Sequence, residues 1–505
     1  MERDDHAHTR SSVFSSLLKG TALYTITMFG QRLAGPILVP IKTHFLTTSD
    51  FGVLDLLQKV SSLLSVLLGL HISAALGYFY FEKESVEERR KVASTTILGT
   101  TLVGIIAAIL GLSLLNPLST MIFHSPGVRP YLILIFAFFP LSFAVEALFA
   151  WLRVVDRPGI FSLASMISVG VTVVATVVLL VVFHMRIMGV LVSAIAAAVS
   201  VAVMLAIYCF REIPLQFDGA IFRRIFRFAI PLSLGSIAMF IIHFGDSFIL
   251  PQYRSFAELG IYSLAYQIGM LVSMLSAAFN TYWGAQAFNV ARRSDAHAVI
   301  SRIFTYLILM LSFGSVGLIV ACRPVLRILV HPSFLPAIPL VPLIVLAYLI
   351  RSIAEFFQRF FVVEGRPGYD AICNWTGAGV CLAGYFILIP RYGMWGAATA
   401  TILSFTTLAI ISIVWTYRVR GFQLDGVRVG KIAAIALFLV GLYYLVPVSS
   451  LGLEIVWSTL LIVAFPGLLW IWRFPEAAEI GKVQSMMSEG FRRGQAFVSA
   501  ARSRG

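Results

Sequence analysis

Two stretches of this sequence carry the same pattern at a separation of about 209 positions. Residues 146–159 read EALFAWLRVVDRPG and residues 355–368 read EFFQRFFVVEGRPG, so that Glu falls on Glu and Arg-Pro-Gly falls on Arg-Pro-Gly. Closer to the N-terminus, residues 50–53 (DFGV) fall on residues 258–261 (ELGI) at almost the same offset. Two matches in the same order at nearly one offset indicate an internal repeat whose copies fold alike.

Both copies lie in a chain with the composition of a membrane protein. Of its 505 residues, 59% are hydrophobic and 12% are charged, whereas soluble globular chains are about 45–50% apolar and about 25% charged. The apolar runs show no period-two alternation, which argues against a β-barrel, and each is long enough to cross a bilayer as a helix. Fourteen runs meet this length: 17–41, 53–79, 93–115, 131–152, 160–183, 187–209, 228–250, 259–283, 299–321, 336–361, 369–389, 394–417, 431–448 and 453–472.

Six predicted spans precede the second copy, so that both copies cross the membrane in the same sense. A parallel repeat of this kind has a pseudo-two-fold axis along the membrane normal, and transporters achieve alternating access by rocking one copy against the other. We therefore expect an all-α polytopic membrane protein of about fourteen transmembrane helices, with two parallel six-helix lobes and two C-terminal helices. The expected segments are a cytoplasmic N-terminal tail (1–16), an N-terminal lobe (17–210), a cytoplasmic linker (211–227), a C-terminal lobe (228–420), the last two spans (431–473) and a cytoplasmic tail (474–505).

The net charge of +14 is distributed as in membrane loops rather than as in nucleic-acid-binding proteins. With the N-terminus in the cytoplasm, the inner loops hold a clear excess of Lys and Arg over the outer loops, which predicts that both termini are cytoplasmic. No nucleic-acid recognition motif interrupts the apolar runs. The sequence also contains no metal-ligand cluster, phosphate-binding loop or nucleophile–base set, so we expect neither an enzyme nor a bound metal or cofactor.

Several short motifs give the chain a family resemblance. The motifs are FAIPL (228–232), FGD (244–246), ELGIYSLAY (258–266), AFNTYW (278–283) and GMWGAATAT (393–401). With them the chain, from about residue 18 to residue 420, resembles the polysaccharide transporter branch of the multidrug/oligosaccharidyl-lipid/polysaccharide exporter superfamily. One departure is Asp246-Ser247, where the branch often has Asp-Arg, and it weakens any transfer of a charge pair to this position.

The resemblance implies a flippase of a bacterial inner membrane. It implies that polyprenyl-(pyro)phosphate-linked oligosaccharides move from the cytoplasmic to the outer leaflet for O-antigen, capsule or exopolysaccharide assembly. The implied partners are this isoprenoid-linked substrate, membrane lipids, a polysaccharide polymerase and glycosyltransferases. Two alternatives stay open: a drug or metabolite/cation antiporter of the same superfamily, and a membrane polysaccharide polymerase, against which the short loops count.

Charged residues at membrane depth mark the expected substrate cavity, because such groups are costly unless they serve a function. Arginine offers a bidentate fork to phosphate oxygens, which suits a (pyro)phosphate-linked lipid. The candidate cavity residues are Gln31 and Arg32 in the first span, Lys59 in the second, Glu146 in the fourth, and Arg351, Glu355 and Arg359 in the tenth. The alternative is structural: Glu146 or Glu355 neutralises Arg32, the residues of the tenth span form a self-compensated ladder, and Lys59 pairs with Asp55 one turn away.

Asp246 is the candidate for ion coupling. It lies in the outer half of the seventh span, where a buried carboxylate can exchange a proton or hold Na⁺. Such an exchange would couple transport to an H⁺ or Na⁺ gradient. The alternative is an internal hydrogen bond at a helix kink.

The two Arg-Pro-Gly turns, Arg157-Pro158-Gly159 and Arg366-Pro367-Gly368, are candidate gates. Proline fixes φ near −65° and glycine permits positive φ, so we expect a sharp, stiff reversal at each. Both turns are predicted on the cytoplasmic side, at equivalent places in the two copies. They would flank the inner mouth of the cavity, or else they are ordinary turns with an anchoring arginine.

Overall fold

The computed structural model describes residues 27, 30–31, 35–69, 72–209, 211–421, 424–448 and 450–474. In these ranges the chain is helical and contains no β-strand, which confirms the all-α class. The principal helices are α1 (Thr48–Gly69), α2 (Ile72–Phe81), α3 (Val86–Ser113), α4 (Arg129–Val154), α5 (Pro158–Val177), α6 (Arg186–Cys209), α7 (Gly219–Phe244), α8 (Asp246–Tyr253), α9 (Phe256–Gly269), α10 (Leu271–Ala291), α11 (Ala296–Leu329), α12 (Val341–Val363), α13 (Pro367–Tyr392), α14 (Met394–Arg420), α15 (Gly426–Leu445) and α16 (Leu451–Ile471). The predicted N-terminal tail, most of the first span and nearly all of the C-terminal tail lie outside the described residues.

The candidate membrane spans agree with most of the predicted ones. Among the described residues, eleven helices are long and apolar enough to cross a membrane, or twelve if the bent pair Gly219–Pro231 and Gly235–Phe244 is one span. These twelve match the predicted spans from the third to the fourteenth. Predicted span 2 is occupied by α1 and α2, and the full count of fourteen is not confirmed. The 49° bend of the seventh span follows Pro231, which lacks the N–H that would continue the helical ladder.

One compact unit comprises the described residues up to 270 together with residues 326–354 and 365–412. Within it, α3 packs along α4, α5 along α6, and α1 along α9. The apolar centre of α4 is aromatic: Phe136, Phe139 and Phe143 are fully buried, and the last two stack with ring centroids 5.8 Å apart. Because these rings exclude water over several turns, they fix how α4 sits among its neighbours.

The other compact unit comprises residues 271–325 and 355–364 together with the described residues from 413 to 474. In its core, Trp283 stacks on Phe356 with ring centroids 5.2 Å apart. At another point Glu454 of α16, which is buried, accepts hydrogen bonds from Arg323 Nε at 3.1 Å and from the Tyr443 hydroxyl at 3.3 Å. This shared carboxylate joins α16 to α11 and α15.

Helix starts follow signals that are visible in the sequence. Ser85 and Ser255 each accept a hydrogen bond from the backbone N–H of the Glu three residues later, Glu88 or Glu258. This is the N-cap geometry that Ser-x-x-Glu predicts. The side chain thus satisfies a donor that the first turn would leave without a partner.

The two Arg-Pro-Gly turns have nearly the same backbone, as a repeat requires. Arg157 (φ −109°, ψ 65°) and Arg366 (φ −120°, ψ 56°) each precede a helix that begins at proline. The expectation that the glycines supply the reversal was wrong, because Gly159 and Gly368 lie inside the first turns of α5 and α13. Positive φ falls one residue before each arginine, at a position not singled out from the sequence. Proline at N1 favours helical backbone after it, so the reversal has to precede it.

That position is Asp156 (φ 50°) in the first copy and Gly365 (φ 68°) in the second. The structure therefore supports the repeat at the level of single dihedral angles. The boundaries of the predicted lobes and linker stay a prediction, since the two compact units are defined by contacts and not by sequence similarity.

Candidate functional site

A close crossing of α1 and α9 sets up the site. An ideal Cβ on Gly52 would lie 2.9 Å from Gly260 N and still closer to Phe256 O. An ideal Cβ on Gly260 would lie 3.0 Å from Gly52 N and still closer to Thr48 O. The contact is symmetric, because Gly260 and Phe256 stand in the second copy where Gly52 and Thr48 stand in the first. Only glycine fits on either side, so the repeated glycine of the DFGV and ELGI motifs brings the two copies into backbone contact.

In each copy, the acidic residue of the DFGV or ELGI motif also accepts a hydrogen bond from the start of that copy's sixth span, α6 or α14. Asp50 accepts hydrogen bonds from Arg186 at the start of α6, at 3.1 Å from Nε and also from Nη2. Glu258 accepts a hydrogen bond from the backbone N–H of Met394, at the start of α14, at 2.7 Å. Equivalent acids therefore hold equivalent helices, although the donor is a side chain in one copy and the backbone in the other.

A buried ion pair lies two helical turns farther along α1. Lys59 Nζ donates to Asp55 Oδ2 at 2.6 Å, and both side chains are about one-tenth exposed. This confirms the i,i+4 pair predicted from the sequence. Lys59 Nζ also donates to Ser247 Oγ at 2.5 Å, so the pair is not confined to its own helix.

Asp246 continues this network. It is fully buried, and it accepts hydrogen bonds from Tyr262 OH at 2.6 Å and from Ser247 Oγ at 3.1 Å. Asp55, Lys59, Ser247, Asp246 and Tyr262 thus form one chain of contacts, which we call the acidic cluster. The cluster holds two carboxylates and one ammonium group, which contacts Asp55 directly and Asp246 through Ser247, so the cluster has a net charge of −1 when all three groups are ionised.

Aromatic and hydroxyl groups enclose the acidic cluster. The Lys59 ammonium lies 5.6 Å from the centroid of the Phe244 ring and 5.7 Å from that of the Tyr266 ring, within range of cation–π attraction. Tyr348 OH donates to Tyr266 OH at 2.9 Å, and His243 Nδ1 lies 3.2 Å from Tyr348 OH. The site is therefore buried and dense in hydrogen-bonding groups, and electrostatic interactions are stronger there than in water.

A largely apolar cavity of about 320 Å³, with several polar side chains in its wall, lies on another side of α1. Gln58, Ser61 and Ser62 line it, together with Thr172 of α5 and Lys42 of the preceding helical segment. Gln58 precedes Lys59 by one residue, so α1 presents polar groups in two directions.

Arg351, another predicted cavity residue, also lies beside an aromatic ring. It is 6% exposed, its Nη2 donates to Met239 Sδ at 3.6 Å, and its guanidinium lies 5.9 Å from the centroid of the Phe405 ring. The side chain is thus packed between α7 and α14. Arg351 lies inside the candidate span Pro332–Val363, and its burial there comes from the tertiary structure.

The remaining predicted cavity residues are dispersed. Glu355 accepts hydrogen bonds from Asn280 Nδ2 at 3.0 Å and from Ser276 Oγ at 3.2 Å, inside the second compact unit. Arg359, on the same helix, is half-buried, and Glu146 on α4 is exposed. Gln31 is exposed, and Arg32 lies outside the described residues. Their role in binding a substrate stays a prediction.

The turn arginines lie at the surface. Arg157 is exposed, and its Nη2 lies 3.8 Å from Glu212 Oε1, while Arg366 is exposed as well. Surface pairs of this length contribute little to stability. Exposure suits residues at a membrane surface, and their role as a gate stays a prediction.

The hydroxyl partners of Asp246 were not predicted from the sequence. Tyr262 and Tyr266 are four residues apart in the ELGIYSLAY motif, so their shared helix face was a usable signal. Ser247 follows Asp246 directly and gave none. Among the described residues, no group of three or more His, Cys, Asp or Glu side chains could hold a metal ion.

Comparisons with known proteins agree with this architecture. Solved structures with a similar fold include the lipid II flippase MurJ in an inward closed conformation, at 16% identity over 90% of this chain and 100% of that chain, with a TM-score of 0.71. The MATE multidrug transporter DinF-BH has a TM-score of 0.59 at 14% identity, over 80% of this chain and 95% of that chain. An inward-facing MATE family transporter of the MOP superfamily has a TM-score of 0.53 at 16% identity, over 80% and 98%.

The comparison with curated protein sequences gives no significant match. A family model described as "polysaccharide biosynthesis protein" matches residues 17–283, slightly more than half of the chain. The match includes α1, α7, α8 and α9, and with them every residue of the acidic cluster. Taken with the helical repeat, this match confirms the resemblance seen in the sequence: the chain is a multi-pass membrane protein that belongs to the polysaccharide biosynthesis protein family.

Proposed function

We propose that this protein is a flippase that moves isoprenoid-linked oligosaccharides across a bacterial inner membrane for the assembly of O-antigen, capsule or exopolysaccharide. The observation that carries the proposal is family membership in polysaccharide biosynthesis, joined to a fold that MurJ also has. A duplicated helical bundle can work by alternating access, which moves a substrate without changing it. The protein therefore acts as a transporter and not as an enzyme.

The acidic cluster supports coupling to an ion gradient. Its net charge of −1 is buried, and an uncompensated buried carboxylate is costly unless it binds a proton or a cation. Asp246, Ser247 and Tyr262 supply the oxygen atoms that suit H⁺ or Na⁺. We assign ion coupling to Asp246.

Contacts with the lipid phosphate are assigned to Arg32 and Arg351. Arg351 is packed between Met239 and Phe405, so it meets a phosphate only in a conformation in which these neighbours move away. Such a conformational requirement is what alternating access provides. Contacts with sugar hydroxyls are assigned to Gln58, Ser61 and Ser62, which line the cavity beside α1.

Reconstituted flipping tests the proposal. Proteoliposomes containing a fluorescent isoprenoid-diphosphate oligosaccharide are assayed for the fraction of label that an external, impermeant reagent can reach. We expect Arg351→Gln to slow flipping at least about tenfold, because a charged hydrogen bond to phosphate contributes roughly 1.5–3 kcal/mol, whereas Arg292→Gln, in an exposed loop, leaves it unchanged. A wild-type protein that does not flip this lipid contradicts the proposal.

Ion coupling has its own test in the same vesicles. Asp246→Asn should abolish the dependence of flipping on an imposed H⁺ or Na⁺ gradient, and Asp295→Asn, at an exposed site, should preserve it. If the wild type flips at the same rate with and without gradients, the assignment to Asp246 is wrong.

The second candidate is a drug or cation antiporter, which the fold shared with DinF-BH favours. This function predicts that the vesicles extrude a lipophilic cationic dye in exchange for H⁺ or Na⁺. Dye exchange without lipid flipping would replace the first proposal with the second.

A further inference from the structure

One contact in the described structure places a charged side chain of the first repeat copy against residues of the second. Lys59 belongs to the first copy, yet its ammonium donates to Ser247 Oγ of the second copy and lies between the rings of Phe244 and Tyr266. Ser247 Oγ in turn donates to Asp246 Oδ1 at 3.1 Å. The first copy therefore supplies a cation to the acidic site of the second.

This contact depends on the glycine crossing. Lys59 lies seven residues after Gly52, which places both on one face of α1. Gly52 touches the backbone of α9, and Lys59 enters the space beside that helix two turns farther along. Separation of α1 from α9 at the crossing would withdraw the Lys59 ammonium from Ser247.

Such a withdrawal changes the charge around Asp246. With Lys59 in place, its ammonium contacts the Asp55 carboxylate directly and is linked to the Asp246 carboxylate through the Ser247 hydroxyl. Without it, Asp246 keeps only the neutral donors Ser247 and Tyr262. A buried carboxylate then gains strongly from binding a small cation or a proton.

We propose that Lys59 is a tethered counter-ion that competes with the coupling ion for the Asp246 site. When α1 and α9 touch, the ammonium occupies the site, and when they separate, H⁺ or Na⁺ takes its place. The proposal rests on the ion coupling assigned to Asp246 above. It makes Lys59 a positioning residue that links ion occupancy to the contact between the two copies.

Asp55 sets the strength of this competition. Its carboxylate holds the ammonium at 2.6 Å, so Lys59 divides its charge between Asp55 and the Asp246 site. Removing Asp55 alone should give the Asp246 site a larger share of that charge. The titratable and charged groups that face Asp246 are Asp55 and Lys59 on α1, Tyr262 and Tyr266 on α9, and Cys381 and Tyr385 on α13.

The test distinguishes competition by the Lys59 ammonium from an effect of the net charge of the acidic cluster. Asp55→Asn with Lys59→Gln removes both partners of the pair and leaves the net charge of the acidic cluster at −1. We expect this double variant to bind Na⁺, or protons if H⁺ is the coupling ion, at least about fivefold more tightly than the wild type. Asp55→Asn alone should bind more weakly. Glu88→Gln with Lys83→Gln, which removes an exposed ion pair, is the matched control and should bind as the wild type does.

A distance measurement reports the contact itself. Nitroxides at Ser49→Cys and Ala257→Cys, which are equivalent positions at the starts of α1 and α9, can be attached selectively because the four native cysteines are buried. The wild-type distance should lengthen on addition of Na⁺ or acid. The double variant should show the longer distance without added ion, and Lys59→Arg should keep the shorter one.

Two results would overturn the inference. One is a double variant that binds Na⁺ and protons as the wild type does. The other is a Ser49–Ala257 distance that neither ion nor variant changes. If these measurements succeed while the lipid is not flipped, the proposed substrate fails and the counter-ion role of Lys59 stands.

Discussion

The two repeat copies make equivalent backbone contacts at the crossing of α1 and α9, but their side chains differ in charge two helical turns farther along. At the crossing, Gly52 and Gly260 face each other, and each would collide with the partner backbone if it carried a Cβ. The equivalence extends to the turns before α5 and α13, where Asp156 and Gly365 both adopt positive φ. Symmetry therefore holds where backbone meets backbone.

Farther along the same two helices the equivalence ends. The first copy has Asp55 and Lys59, whereas the second has Ser263 and Gln267 at the corresponding positions. The two positions that hold a buried ion pair in the first copy thus hold neutral residues in the second. The difference teaches that the repeat accounts for the helical framework of both copies, whereas the buried ion pair belongs to α1 and has no counterpart at the equivalent positions of α9.

The largest expected effect comes from breaking the symmetric crossing. Gly52→Val and Gly260→Val should each prevent folding to a monodisperse protein, because the backbones must move apart to admit a side chain. The two losses should be equal, since the contact is symmetric. Size-exclusion chromatography and thermal unfolding in detergent measure this.

Gly170 provides the control, because its ideal Cβ has nothing within 4 Å. Gly170→Ala should be neutral or mildly stabilising, as alanine is the better helix former by about 0.5–1 kcal/mol. A Gly52→Val protein that melts as the wild type does would contradict the crossing.

The contacts of Asp50 and Glu258 should contribute differently to the melting temperature. Asp50→Asn removes the charge opposite Arg186, whereas Glu258→Gln keeps an oxygen that can accept from the Met394 N–H. We expect Asp50→Asn to lower the melting temperature more. Its deficit should shrink at high salt, which screens exposed ion pairs, and equal, salt-independent deficits would argue against this assignment.

A smaller effect is expected at the turns. Gly365→Ala should destabilise the fold by about 1 kcal/mol, because alanine is strained at positive φ. Asp156→Gly should stabilise it by up to about 1 kcal/mol at the equivalent position, since aspartate tolerates this backbone less well than glycine. Chemical denaturation of the two variants measures the opposite signs, and a destabilised Asp156→Gly would refute the equivalence of the turns.

The smallest effect concerns the helices that follow each copy. Asp218 and Asp425 cap α7 and α15, and their backbone N–H groups donate to Thr95 Oγ1 at 3.1 Å and to Ser301 Oγ at 3.0 Å, respectively. A hydrogen bond from Lys91, together with the N–H groups of Ile221 and Ala220, lowers the pKa of Asp218.

The lowered pKa sets the direction of the pH effect. The stabilisation by Asp218 is fully present above pH about 4, near the pKa of an unfolded aspartate, and it is lost as the pH falls through the lower folded-state pKa. Asp218→Ala should therefore show a slightly lower melting temperature at neutral pH, and the deficit should vanish in acid. A deficit that persists in strong acid would show that the carboxylate charge is not involved.

Much of the fold could be predicted because membrane helices are encoded locally. The helix type, twelve of the spans and the repeat follow from apolar run lengths and from two short motifs. The site was less accessible. Asp246 and Lys59 stood out as charged residues within apolar runs, but Ser247, which links them, and Tyr262, which donates to Asp246, carry no charge and do not interrupt the apolar runs.

The sequence by itself determined that this chain is a duplicated bundle of membrane helices with charges at unusual depth. Hydrophobicity and repeat spacing are properties of the chain alone, so they can be read before folding. Only the tertiary structure decided which charged groups come together. The backbone of α9 packs against Gly52, Lys59 reaches Ser247, and Asp246 is buried beside that serine. Contacts between residues some 188 positions apart depend on the crossing of two helices, which no local pattern specifies.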